Sequence, residues 1–333
     1  MNLILRHALL VALVVLVLAA TSQPARVVLG YYNTDQPKCY EAMTEYGARL
    51  NTVSTDSFLL SAKGSVTGDV PATVLKFARA HQMAVFACIS NDNSDPKIAH
   101  QSITTSQAAS VATLLKLAAT NGYTGINIDL EGVDPADRAA FSRFIHVLAA
   151  TLHDQRLQLM ISVPAESKDD PKESWSGAFD YAALGQDADF LQVMTYDQNV
   201  SGDDAGPVAG LDWMTGCIQY AVNKIPPSKV LLGLPAYGRD WNLKTKKAKD
   251  IFWTDIPALA KSHDATISYD ATTGSGFFDY EADGNKHRVW CETSQGIQVK
   301  SELVKKFDLG GVSFWALGME DDAYRNAMSD GMR

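Results

Sequence analysis

The chain has 333 residues, 46% of them hydrophobic and 20% charged, and a formal net charge of −9. That length suits a single barrel of roughly 250 residues with an excursion, and the composition is that of a soluble globular protein with a large core. The acidic balance argues against nucleic acid and anionic membranes as partners, because phosphate binding needs clustered Lys and Arg; Lys244, Lys246 and Lys247 make only a short solvated turn.

At the N-terminus, Arg6 and His7 precede an apolar run over 8–20, and the polar Thr21, Ser22 and Gln23 follow it. The run is short for a membrane span of about 20 residues, and its flanks are those of a secretory signal. The expectation is a signal peptide over 1–22 and an exported, monomeric domain over 23–333. An uncleaved membrane anchor is the alternative, since Leu3, Ile4 and Leu5 extend the apolar stretch. Export permits disulfides, and Cys39, Cys88, Cys217 and Cys291 allow three pairings between which the sequence does not choose. For Cys88, inside the apolar AVFACIS, a buried free thiol is the expected state.

Eight β-rich runs recur with helix-like stretches between them, the pattern of βα units around a parallel sheet. They are VVLGYY ending at Tyr32, LNTVSTDSF at Phe58, MAVFACIS at Ser90, GINIDLE at Glu131, LQLMISVP at Pro164, DFLQVMTYD at Asp197, KVLLGLPAYG at Gly238 and GGVSFWALG at Gly318. After the fourth, Ala140, Phe141, Phe144, Ile145, Leu148 and Leu152 recur at the three- and four-residue steps of a helix. Eight such units close into an α/β fold of the (β/α)8 TIM barrel type; an open doubly wound sheet is the competing architecture. From Arg239 to about Glu292 the rhythm breaks into Gly-rich and aromatic stretches. This segment reads as a small α+β insertion after strand 7, with two or three short antiparallel strands on the rim that carries barrel active sites.

Side chains alternate faces along a strand, so Asn127, Asp129 and Glu131 share one face and Ile126, Ile128 and Leu130 the other. A parallel barrel strand normally buries apolar residues on both faces. Here the outward face is apolar, while the inward face runs polar, acidic, acidic toward the C-terminal end, where barrel enzymes hold their chemistry. Carboxylates two residues apart stand roughly 6 to 7 Å apart at Cα. One stays ionised and raises the pKa of the other, which makes a Glu a general acid near neutrality. A solvated strand end is the plainer reading, and it suits one carboxylate better than a stripe of three polar residues.

TGINIDLE resembles the D-G-x-D-x-D-x-E motif of glycoside hydrolase family 18, the chitinases and their relatives. MTYD at 194–197 is similar to that family's sixth-strand motif, SFWALG around Trp315 to its eighth-strand tryptophan, and LLGLPAYG to its seventh strand. The likeness runs from LGYY in the first strand to the last. Thr124 and Asn127 stand where the pattern has its first two Asp, which removes a charge from behind Asp129 and leaves Asp129 and Glu131 in place. The NIDLE strand, with WSGAFDYAALG, QVMTYD and HRVWCETSQGI, resembles a subgroup containing spore-cortex N-acetylglucosaminidases and di-N-acetylchitobiases.

The resemblance implies a retaining, substrate-assisted hydrolase of β-linked N-acetylglucosamine glycans (chitin, chitooligosaccharides or peptidoglycan), an exception to the two-carboxylate scheme. It implies Glu131 as the acid and the sugar's own acetamido oxygen as the nucleophile. Asp129 would orient the acetamido N–H, Tyr196 would bond the acetamido oxygen, Asp197 would support the site and Trp315 would floor the −1 sugar. No cofactor and no metal is implied. The residues add one point of their own: LLGLPAYG has no carboxylate before Asp240, although nucleophile-using barrels often carry a Glu on that strand. Glu166 and Asp197 remain as rival nucleophiles.

By strand phase Asn91, Gln192 and Tyr237 are expected to point into the site, with Met194 of MTYD a further candidate. Tyr31 and Tyr32 divide between cleft and core, and Trp175 and Trp213 sit on loops where sugar stacking and surface packing are equal readings. A catalytically silent carbohydrate-binding barrel is the competing function. Lectin-like members of the family typically lose the acid, and here Glu131 is present.

Overall fold

The structure, a computed structural model, describes residues 25–34 and 36–333. The expected signal segment over 1–22 lies outside the described residues; among them no helix is long and apolar enough to cross a membrane. Eight parallel strands run Val27–Asn33, Thr52–Leu60, Ala84–Ser90, Gly125–Asp129, Gln158–Pro164, Phe190–Met194, Val230–Pro235 and Gly311–Trp315. Each pairs with the next, and the eighth returns to the first with Val27 opposite Gly311, so the sheet closes. The fold is a (β/α)8 TIM barrel.

The outer layer follows from the helical spacing read above. The helix Arg138–His153 buries Phe141, Phe144, Ile145, Leu148 and Leu152 completely against the barrel. Each such side chain contributes about 1.5–3 kcal/mol of transfer free energy. Asp134 starts the segment by accepting from the Ala136 N–H at 2.8 Å, ahead of Pro135 in the first turn. Phe141 then meets Phe179 edge-on, their ring centres 5.3 Å apart.

The strand ends differ from the sequence expectation at the face that matters. The fourth strand stops at Asp129 and the sixth at Met194, which leaves Glu131, Tyr196 and Asp197 on loops. The seventh stops at Pro235; Tyr237 already belongs to the insertion. The insertion has five antiparallel strands, in the spatial order Ala248–Phe252, Tyr237–Asn242, Asn285–Cys291, Ser275–Ala282 and Ser268–Asp270, with a helix Ile256–Ser262. The expectation of two or three missed the hairpin formed by Tyr237–Asn242 and Ala248–Phe252. Its register sets Arg239 opposite Asp250, so the positions that face the cleft are charged and the apolar alternation that marks a strand is broken. All four cysteines are buried and free, and none of the three pairings forms.

Candidate active site

The interior of the barrel carries a polar layer directly beneath its C-terminal mouth. Asn127 Nδ2 donates to Tyr31 Oη and to Ser54 Oγ, both at 3.1 Å, and Ser162 Oγ donates to Asn127 Oδ1 at 3.3 Å. Tyr31 Oη donates to Gln192 Oε1 at 3.2 Å, and Gln192 Nε2 donates to Ser313 Oγ at 2.9 Å. Six strands are stitched together here by groups with almost no exposure. Buried polar groups of this kind are tolerable only because they are paired.

Above that layer stand the two carboxyls of the fourth strand. Glu131 has left the ladder, and Asn91 holds it: the Glu131 N–H donates to Asn91 Oδ1 and Asn91 Nδ2 donates to the Glu131 carbonyl, both at 2.9 Å. Ser94 Oγ donates to Glu131 Oε2 at 3.0 Å. It does so from a turn in which Asn93 and Ser94 both have positive φ, 52° and 51°. Gly132 at φ +64° completes the close approach, since a Cβ there would lie 2.3 Å from the Ser94 carbonyl oxygen.

Burial pushes the Glu131 carboxyl above its ordinary value; the Ser94 hydrogen bond opposes this and the Asp197 charge adds to it. Burial also pushes Asp129 up to about 8, with the Glu131 charge as the next cause. The sequence expectation had Asp129 ionised and raising Glu131. The structure puts the first cause of both shifts in lost hydration, because the pair sits inside the barrel mouth rather than at a solvated strand end. The Ser162 and Cys88 side chains oppose the rise of Asp129, its Oδ2 lying 3.8 Å from the Cys88 thiol, while Oδ1 is cut off from solvent and has no hydrogen-bond partner of its own.

Asp197, at φ +62°, ties the sixth strand's loop to the insertion. Its Oδ1 accepts from the Tyr237 hydroxyl and, at 2.6 Å, from Arg239 Nη2. Arg239 also donates from Nε to Asp250 Oδ1 and from Nη1 to the Asn199 carbonyl, each at 2.7 Å. Beneath, Gly233 makes room for the Tyr196 ring: a Cβ would stand 3.0 Å from a ring carbon and 2.4 Å from the Val193 carbonyl oxygen. Burial pushes the Tyr196 phenol well above its ordinary range, with the charges of Asp129 and Asp197 adding to it, so it stays a donor.

Two cavities meet at Glu131. The smaller, about 240 Å³, has Asp129, Tyr196 and Trp315 on its walls, and the Trp315 ring lies 5.4 Å from that of Tyr31. The larger, about 490 Å³, is a groove bordered by Trp175, Trp213, Val200 and Pro164. Glu131, Met194, Tyr196 and Asp197 border both.

Of the residues singled out in the sequence, Glu131, Asp129, Tyr196, Asp197, Met194, Trp315, Tyr31 and Tyr237 line the smaller cavity. Asn127 and Gln192 lie under it in the polar layer, and Asn91 lies behind Glu131, so these three support the wall without forming it. Tyr32 lines neither cavity, whereas Trp175 and Trp213 both border the groove. Glu166 is removed as a rival nucleophile. It is 4% exposed and borders neither cavity. Sequence reasoning missed Ser94, Arg239 and Asp250. Ser94 is one polar residue among several in NDNSDP and carried no signal; the other two were hidden in the unrecognised hairpin.

The family model described as "Glycosyl hydrolases family 18" matches residues 24–320. An uncharacterised glycosylase of Bacillus subtilis is 36% identical over 311 residues, which cover 91% of this chain and 90% of that protein. The cortical fragment-lytic enzyme of the same organism is 30% identical over 203 residues, 60% of this chain and 47% of that one, so the match spans about half of its length. A solved chitinase from Chromobacterium violaceum superimposes with a TM-score of 0.90 at 40% identity, over 92% of this chain and 99% of that one.

Proposed function

The chain belongs to family 18 of the glycosyl hydrolases and is a glycoside hydrolase, and we propose that it cleaves β-linked N-acetylglucosamine glycans with retention of configuration, using the substrate's acetamido group as nucleophile. The observation that carries the proposal is the buried, unpartnered Asp129 Oδ1 in the same cavity as Glu131, Tyr196 and Trp315. A buried acceptor left unpaired costs about 1–3 kcal/mol, and the N–H of a 2-acetamido group is a donor of the right kind to satisfy it. The relatives named as a chitinase and a cortical fragment-lytic enzyme support N-acetylated glycans as the substrate class.

In this scheme Glu131 gives its proton to the glycosidic oxygen as the bond to C1 breaks. The acetamido oxygen attacks C1 and closes an oxazolinium ion, whose positive charge faces Asp129. Tyr196 donates to the acetamido oxygen and holds it in line, and Trp315 offers its face to the ring. Water then attacks C1 from the vacated side and gives a proton to Glu131, while the bond from C1 to the acetamido oxygen breaks and the acetamide is restored. The apolar run over 8–20 supports export, which suits a polymeric substrate outside the cell. The test is proton NMR of chitotetraose hydrolysis. Initial release of the β anomer is expected, and initial release of the α anomer contradicts retention.

A further inference from the structure

If the smaller cavity holds the sugar whose bond breaks, the leaving sugar lies in the groove on the other side of Glu131. That groove has a definite chemistry. Trp175 and Val200 are 46% and 42% exposed, and with Trp213 and Pro164 they offer apolar faces to the C–H faces of a pyranose. The acidic groups that border it are the proton-donating Glu131 and the carboxylate of Asp197. Among the described residues no Lys, Arg or His borders it. Arg239, on the neighbouring cavity, is already engaged by Asp197, Asp250 and the Asn199 carbonyl. One guanidinium between two carboxylates leaves that cluster net negative.

We propose that the groove selects an uncharged leaving sugar. The enzyme then acts on chitin-type linkages, in which the leaving residue is N-acetylglucosamine, and discriminates against linkages whose leaving residue carries a 3-O-lactyl carboxylate, as muramyl sugars do. The inference rests on the hydrolase reading above and adds to it the charge of the leaving sugar. A carboxylate entering the groove loses hydration against apolar walls. It finds no cation to pair with, and it approaches Asp197, a group of its own sign. Like charges brought together across an interface are a strong means of rejection.

Matched tetrasaccharides separate charge from shape: chitotetraose, the tetrasaccharide repeat of N-acetylglucosamine and N-acetylmuramic acid, and the methyl ester of that repeat. Hydrolysis of chitotetraose and the ester is expected, with kcat/KM for the free acid lower by about tenfold or more. Equal values for acid and ester, whether both fast or both slow, overturn the proposal while the hydrolase reading stands. If none of the three turns over, the hydrolase reading fails separately, and binding to Glu131→Gln, read by tryptophan fluorescence, decides the selectivity. There, weaker binding of the acid than of the ester supports the proposal and equal binding overturns it. Val200→Lys supplies a second check, because a cation placed on the groove should narrow the ratio of ester to acid; an unchanged ratio counts against a charge-based selection.

Discussion

The side-chain amide of Asn91 takes the place of the next rung of the barrel ladder, closing a pair of 2.9 Å hydrogen bonds on the backbone N–H and C=O of Glu131. The acid is therefore positioned by the side chain that follows the end of the neighbouring strand and not by its own strand. Each of these bonds is worth about 0.5–1.5 kcal/mol net. Asn91→Ala should lower kcat by about tenfold or more, since small misplacements of a catalytic group are costly, with KM little changed and the fold retained. Asn91→Asp keeps the acceptor and loses the donor, and should fall between. Steady-state kinetics on chitotetraose with a thermal melt of each variant checks this, and an unaltered kcat in Asn91→Ala contradicts it.

Ser94 opposes the rise that burial imposes on the acid. Its hydroxyl bonds Glu131 Oε2 and holds the carboxyl below where burial alone would put it. In Ser94→Ala the Glu131 pKa rises, the acid keeps its proton to higher pH, and the alkaline limb of the kcat profile moves upward. Glu131→Gln should remove that limb along with about 10²- to 10⁴-fold of the rate. A Ser94→Ala profile with its alkaline limb unmoved or shifted to lower pH speaks against the assignment.

Trp315 ends the eighth strand half-buried, one face toward the smaller cavity. Trp315→Ala should weaken binding of N-acetylated sugars to Glu131→Gln, measured by calorimetry, without unfolding the barrel. The loss expected for an aromatic stacking contact is about 0.5–1.5 kcal/mol or more. Global unfolding with no separable binding defect would make Trp315 a core residue instead.

Glu166 affects stability rather than catalysis. Burial pushes its carboxyl from 4.5 to about 8, with Arg138 opposing. Between those values the folded chain holds a proton that the unfolded chain has released, so stability falls as pH rises through this window. The slope from one such group is at most ~1.4 kcal/mol per pH unit. Glu166→Gln should flatten the decline of Tm between pH 5 and 8, as read by calorimetry across a pH series. A decline as steep as in the unaltered protein would show that Glu166 does not titrate in this way.

The barrel was legible because each strand pairs an apolar outward row with a helix-spaced segment behind it, as Ile126 and Ile128 do with Phe141 and Phe144. Glu131 and Asp129 were legible because a polar stripe inside such a strand has no packing reason. What was hidden depends on contacts distant in sequence. Asn91 reads as an inward strand residue but acts on Glu131, forty positions away. Arg239 and Asp250 make sense only once the hairpin brings them to Asp197. Asn127 and Gln192 were placed on the right face and one layer too high, because alternation fixes the face of a side chain and leaves its depth in the barrel to the closed sheet.

In the proposed mechanism the substrate, and not a protein carboxylate, attacks C1. It is tested most directly by kcat/KM for aryl chitobiosides whose reacting sugar carries an N-acetyl, N-fluoroacetyl, N-difluoroacetyl or N-trifluoroacetyl group. Each added fluorine withdraws electrons from the amide oxygen while changing its size little. A steep, progressive fall in rate along the series is expected. A flat series, as expected if Asp197 forms a covalent ester with the sugar, would contradict it.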